Sequence, residues 1–510
     1  MPPRPTAALI VLLAAQPLAA QAPPMPTADE AAAAAASITR EDVRLRIGVI
    51  AHDSMRGRAT PSPGLDATAR WMADEMRRVG LLPGGDEGGF IQRYAIETVA
   101  LDVQAGGEGL VAGRDLLPTY PPYLPADLGV EAGVVVVSGS AGAAGGLRGA
   151  DVEGRVVIVA APSTSDASRD RATLQLVQAL LALEPAALLV ATDAGDGGWR
   201  AAAEGYADRR WPRVGDAPGL PVFNVRDRSL ARALPDAVDL EALRAARGGA
   251  VTVRALPGRS LRLGPTLRVV EGATAPNVVG ILPGSDPALR DQHIVFSAHM
   301  DHVGVGAPDA TGDSIFNGAD DDASGTATVV ELAEAFASLE PRPRRSIIFL
   351  GVSGEEEGLW GSDYFARHAP VPTEAIVANI NIDMIGRNWP DTIVAIGREH
   401  SDLGATLDRV NADHPELGLA VIDDPWPEES FYTRSDHFNF ARRGVPVLFF
   451  FSGTHEDYHR PSDEVELIDA EKTARIGRLL FWLGLEVANA PAPPRWDPES
   501  YRRIVQGAGG

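Results

Sequence analysis

The chain contains no cysteine, and this removes disulfides, thiolate metal sites and cysteine nucleophiles together. Lysine is almost as scarce: Lys472 is the only one, so Schiff-base chemistry has almost nothing to work with. Basic residues are outnumbered, 46 Lys and Arg against 69 Asp and Glu, and the formal net charge is -23. A polyanionic partner such as nucleic acid needs a basic face, and no basic run stands out. Beyond the first two dozen residues no apolar stretch is long enough for a membrane span. Histidine is missing from the whole stretch between His52 and His293, which leaves the middle of the chain without the commonest metal ligand.

What is present begins with Arg4, an apolar run from Ala7 to Ala15 and small residues from Pro17 to Ala22. That order predicts a secretory signal at 1–22 and an exported protein, periplasmic or secreted. A length of 510 residues exceeds one compact core, and the expected division is a main body in two parts, 23–114 and 259–490. Between them lies an inserted unit at 115–258, and a Pro-rich tail covers 491–510. The insert carries short Val-rich runs (134–137, 156–160, 188–191, 222–225) between Gly, Pro and Asp turns, predicting a small β-rich module with a helix or two near 172–183. After it, strand-length apolar runs alternate with helical spacing. This predicts an α/β fold: a mixed, largely parallel sheet sandwiched by helices, with ligands gathered at the carboxyl ends of its strands. Residues 324–337 are expected to form an amphipathic helix.

Chemistry concentrates at those strand ends. S-A-H-M-D-H closes the run before His302, and N-G-A-D-D-D-A-S-G follows at Asn317–Gly325. G-E-E-E-G-L-W-G-S stands at Gly354–Ser362, N-I-D-M-I-G at Asn381–Gly386, R-S-D-H at Arg434–His437 and D-Y-H-R-P at Asp457–Pro461. Singly each has a bland reading, since acidic residues before a helix commonly serve as caps. Together they put imidazoles and carboxylates, the donors of a zinc-type site, on one rim. Gly351–Glu355 nearly spells the G-x-S-x-G elbow of a serine hydrolase, but Glu355 replaces the glycine that the turn requires.

The ordered set of motifs resembles the M28 zinc aminopeptidases, above all exported bacterial members with an inserted protease-associated (PA) domain. The resemblance implies two zinc ions per chain, one held by His299 and Asp383, the other by Glu356 and His459, with Asp321 bridging. It also implies that Glu355 is the general base, that Asp301 orients His299, that Tyr458 polarises the substrate carbonyl and that Arg434 helps position substrate. Peptides with a free amino terminus are the implied substrates. A glutaminyl cyclase or carboxypeptidase on the same scaffold, or a non-catalytic binding protein, are the alternatives. His302 and His455 are expected near the site without a ligand's role, and His437 as a structural group.

Overall fold

The computed structural model describes residues 25–506 except 102–108, 120–128, 141–146, 163–169, 182, 193–194, 208–210, 216–218, 220 and 264–266. The expected signal at 1–22 therefore lies outside the described residues. Three helices lead: α1 (Ala28–Ala36), α2 (Arg40–Ile50) and α3 (Pro63–Arg78). Each starts on a side-chain cap. Thr27 and Glu30 form a capping box, while Thr39 and Ser62 accept from the amides of Asp42 and Leu65. The chain continues through β1 (Leu82–Pro83) and β2 (Ile91–Leu101), the second of which had no clear signal in the sequence.

The insert holds β3 (Leu116–Pro118), β4 (Val130–Ser138), α4 (Gly149–Val152), β5 (Val156–Ala160), α5 (Arg171–Leu181), β6 (Ala187–Thr192) and α6 (Asp196–Ala207). Then come β7 (Trp211–Val214), β8 (Val222–Arg226), α7 (Asp227–Ala233), α8 (Leu240–Ala245) and β9 (Thr252–Leu263). Its sheet runs in the order β3-β8-β6-β5-β4-β9, with the central pairs parallel. So the insert is α/β rather than β-rich. Helix α6 has little signal in its sequence, D-G-G-W-R-A-A-A-E-G-Y-A, because small residues dominate it and blur the helical period. It nevertheless buries Trp199, whose indole donates to the Gly113 carbonyl at 2.9 Å. Strand β7 leaves that sheet and pairs antiparallel with β2, helped by an Arg213–Glu97 ion pair of 2.6 Å.

The main sheet is completed by β10 (Leu267–Leu282), β11 (His293–His299), β12 (Ser346–Val352), β13 (Ile376–Ile382), β14 (Thr392–Ile396), β15 (Ala420–Ile422) and β16 (Val447–Phe451). Its order is β15-β14-β16-β13-β11-β12-β10-β2-β7, with β1 also on β10. The four central strands β16, β13, β11 and β12 are parallel; antiparallel pairs flank them on both sides. Helices α9 (Gly325–Ala337), α10 (Trp360–His368), α11 (Leu403–Asp413), α12 (His437–Ala441) and α13 (Ala470–Asn489) cover it. Alternate residues of one strand enter opposite layers: Ile294 and Phe296 join the core under α9 and α13, Val295 the core on the other face. Burial on both faces is why the strands read as unbroken apolar runs. Among the described residues no helix is long and apolar enough to cross a membrane.

Helix α9 departs from expectation. It is buried on nearly every side, because the sheet lies under it and α2 and α13 pack over it. The buried Glu331 then needs a partner inside the protein, while Glu334 stays partly exposed. Arg46 of α2 supplies it, reaching Glu331 at 2.5 Å and Glu75 at 3.5 Å and contacting Glu334. Burial raises the Glu331 carboxyl to about 7, against the opposing pull of Arg46. Arg46→Met leaves that carboxylate buried without a counter-charge and is expected to cost about 3–5 kcal/mol. A folded-state pKa above the unfolded one means stability that is full below about 4.3 and declines as pH rises toward 7. The deficit of Arg46→Met, measured as a fall in urea midpoint, is therefore larger at pH 8 than at pH 5.

Candidate metal centre

Parallel strands align their carboxyl ends, and here four adjacent ones deliver their loops to a single rim. His299 is the last residue of β11; Asp383 follows β13; Glu355 and Glu356 follow β12; His459 lies in the loop after β16. Asp321 comes from the turn before α9. Its carboxylate faces two ways. Oδ1 is 3.2 Å from His299 Nε2, which is itself 3.5 Å from Asp383 Oδ1. Oδ2 is 3.1 Å from His459 Nε2, which is in turn 3.1 Å from Glu356 Oε2. The five residues thus come together as two imidazole–carboxylate pairs sharing one carboxylate.

These spacings suit a cation. Donors bound at about 2.0–2.2 Å to a tetrahedral ion stand about 3.3–3.6 Å apart, close to the distances observed. His459 Nε2 is also a buried nitrogen without a hydrogen-bond partner, aimed between two carboxylates. Burial lowers the His459 pKa, but Asp321 and Glu356 outweigh it and push it up to about 10. A proton and a divalent cation would compete for that nitrogen, as ligand sites generally require.

The triplet of aspartates is sorted by its neighbours. Asp320 Oδ1 accepts from the Gly386 amide at 2.6 Å and its Oδ2 lies 3.3 Å from His455 Nε2. Asp322 accepts from the amides of His299, Gly325 and Met384 at 3.2, 2.9 and 3.1 Å, which makes it a strut although it stands close to His299 and Asp383. Only Asp321 of the three points between the imidazoles. His302 is nearer the centre than the motif suggested: its Nδ1 is 2.8 Å from Glu356 Oε1 and 3.5 Å from Asp321 Oδ2, within one ligand-type group with His459. Ser435, within the R-S-D-H motif, donates to Asp383 Oδ2 at 2.8 Å. Both follow from contacts between distant loops, which spacing does not record.

The remaining expected residues surround this centre. The Asp301 carboxylate stands 3.7 Å from His299 Nδ1, whose nearer neighbour is the Asp301 backbone carbonyl at 3.2 Å. Asp301 also accepts from the Glu355 amide at 3.4 Å, so it links the imidazole to the Glu355 loop. Glu355 lines a cavity with His299, Asp321, Asp383, Tyr458 and Arg434. Burial raises its carboxyl well above the usual range; His299 opposes this, while Asp436, Asp383 and Glu356 add to it. Tyr458 stacks on His459 with ring centroids 3.9 Å apart. Arg434 is held at the mouth by Glu429 at 3.2 Å and lies over the Phe431 ring at 4.7 Å. Met384, Phe431, Phe449 and Phe451 make the apolar side of the cavity. His437 is buried behind it, stacked on Phe449 at 4.6 Å, and burial lowers its pKa to about 3, so it stays neutral.

Residues 277–483, which include all five converging groups, match the family model of Peptidase family M28. The resemblance read from the motifs is found independently over that segment. The chain is similar to a probable zinc metalloprotease of Leptosphaeria maculans, 28% identical over 43% of this chain and 58% of the other. It is also similar to a probable leucine aminopeptidase of Arthroderma benhamiae, 27% identical over 42% of this chain and 58% of that protein. Its matches span about half to two thirds of the length of such relatives. Among solved structures, an aminopeptidase from Aneurinibacillus sp. strain AM-1 is 18% identical, covering 91% of this chain and 97% of that one with a TM-score of 0.46.

Proposed function

We propose that this chain is an exported M28-type zinc aminopeptidase that removes amino-terminal residues from peptides, with two zinc ions per chain. One observation carries the reading. The Asp321 carboxylate turns one oxygen to His299 and Asp383 and the other to His459 and Glu356, with Glu355 beside them. The export signal at 1–22 and a PA-type insert belong to the same reading, supported by the leader sequence and by the separate sheet of the insert.

A zinc pair supplies Lewis acidity, enough to bring the pKa of water to about 7 and to polarise a carbonyl. The protein's own groups do the rest. Glu355, not needed as a ligand while its neighbour Glu356 is, takes the proton from the attacking water and passes it to the leaving amine. Burial raises its affinity for protons, which favours taking one up from the water. The Tyr458 hydroxyl donates to the substrate carbonyl oxygen, and Asp301 keeps His299 and the Glu355 loop in register. Arg434 positions the substrate at the mouth. The side chain of the departing residue enters the Met384, Phe431, Phe449 and Phe451 wall, so an apolar amino-terminal residue is the favoured substrate.

A panel of aminoacyl nitroanilides checks this. Leucyl and phenylalanyl substrates are expected to turn over, N-acetylated ones not, with activity lost on chelation and restored by zinc. Cyclisation of amino-terminal glutamine without peptide cleavage would favour the glutaminyl cyclase instead, and a requirement for a free carboxyl terminus the carboxypeptidase. Complete inertness of zinc-loaded protein would leave a binding protein.

A further inference from the structure

The segment Gly57–Thr60 supplies no ligand, yet it touches every loop that does so on the β11–β12 side. Arg58 is fully buried, and its guanidinium is spent on backbone carbonyls. Nε donates to Met300 at 2.7 Å, Nη1 to Ile50 at 3.0 Å and Asn317 at 2.6 Å, and Nη2 to Gly318 at 3.0 Å. Met300 directly follows His299, and Gly318 is three residues before Asp321. Two positions on, the Thr60 hydroxyl donates to Asp301 Oδ2 at 2.9 Å and accepts from the Gly354 amide at 3.1 Å, immediately before Glu355. The turn that carries them is held close to the same loops. Gly57 has φ +66°, and a Cβ there would lie 2.2 Å from the Gly304 carbonyl oxygen and 2.6 Å from that of Phe316. Only glycine meets both demands.

We propose that Arg58 and Thr60 are positioning residues of the metal centre: one N-terminal turn clamps the His299, Asp321 and Glu355 loops to one another, through three carbonyls and one shared hydroxyl. The clamp rests on the metal-centre reading above. A planar guanidinium suits the task because its fixed fork holds several acceptors at set angles, which an ammonium on a flexible stem does not. Burial draws the Arg58 pKa down to about 10, with Asp321, Asp301, Asp463 and Asp322 holding it up, so it stays cationic behind a carboxylate-rich centre at neutral pH. The Thr60 hydroxyl uses its donor on the Asp301 carboxylate and a lone pair on the Gly354 amide. Valine has the same shape and neither function.

The test compares Thr60→Val, Thr60→Ser and Arg58→Lys with the full-length wild type. Zinc affinity is measured by competition with a chromogenic chelator, kcat and KM on leucyl nitroanilide, and amide exchange of peptides spanning 299–304, 316–322 and 353–357 in zinc-free protein. Partners behind metal ligands typically change affinity or activity by about 10–100-fold. Thr60→Val and Arg58→Lys are expected to weaken zinc binding or lower kcat within that range, with KM nearly unchanged and exchange raised in 299–304 for both, in 353–357 for Thr60→Val and in 316–322 for Arg58→Lys. Thr60→Ser is expected to restore the wild-type values. Arg58→Lys failing to fold leaves the two Thr60 variants to decide. A folded Thr60→Val with wild-type affinity, kcat and exchange overturns the proposal, as does a Thr60→Ser no better than Thr60→Val. Wild-type protein that binds zinc yet cleaves no peptide would sink the peptidase reading, while affinity and exchange still judge the clamp.

Discussion

Glu355→Gln is expected to lower kcat by about 10²- to 10⁴-fold, the usual contribution of a positioned acid–base group, while the zinc content stays at two per chain. Glutamine keeps the shape and can still occupy the cavity wall beside His299 and Tyr458. It cannot accept the proton of the attacking water. Because burial among carboxylates lifts the Glu355 pKa, the active, deprotonated form is gained as pH rises through that raised value. The wild-type rate should therefore show an acid limb with a Glu355 component, and the variant's residual rate should lack that component. Near-wild-type turnover by Glu355→Gln, with both ions bound, means that another group moves the proton.

Asp321→Ala has the second large effect, because one side chain serves both halves of the centre. Zinc stoichiometry, measured by elemental analysis after dialysis, is expected to fall below two, and peptide hydrolysis to drop beneath detection. Stability reports the same loss without relying on catalysis. A ligand present at 1,000 times its Kd stabilises the folded state by about 4 kcal/mol, so wild-type protein should unfold at a higher temperature when zinc is added. Asp321→Ala should lose most of that rise. Ala at 320 or 322 makes the comparison sharp: those carboxylates are engaged by backbone amides and by His455, so their loss acts on loop geometry and stability before it acts on stoichiometry. Two tightly held ions in Asp321→Ala would end the bridging assignment.

Much of this was legible along the chain. The strands His293–His299, Ser346–Val352 and Ile376–Ile382 announce themselves as apolar runs because both faces of the sheet are covered, and the helix Ala470–Asn489 does so by its spacing. Strand β2 did not, because it forms a ribbon with the long β10, and the pattern of such a strand depends on what its neighbour exposes. The helices of the insert were missed where glycine and alanine supply too little contrast between faces. Helix α9 was expected to have a wet side, and it is instead buried at nearly every position, since α2 and α13 pack over it.

What the order of residues determined alone was the chemistry on offer: imidazoles and carboxylates after successive strands, no thiols, almost no amines, and an adjacent pair of glutamates. Strand ends are set by local pattern, and parallel strands must align them, so convergence at one rim follows from sequence. Which oxygen faces which nitrogen does not. That Asp321 rather than Asp320 or Asp322 stands between His299 and His459, that His302 holds Glu356, and that Arg58 and Thr60 tie the loops together were decided only in three dimensions. These are contacts of 2.6–3.5 Å between segments up to 294 residues apart, and a carboxylate's direction is fixed by whichever backbone amides and side chains the packed loops bring within reach of it.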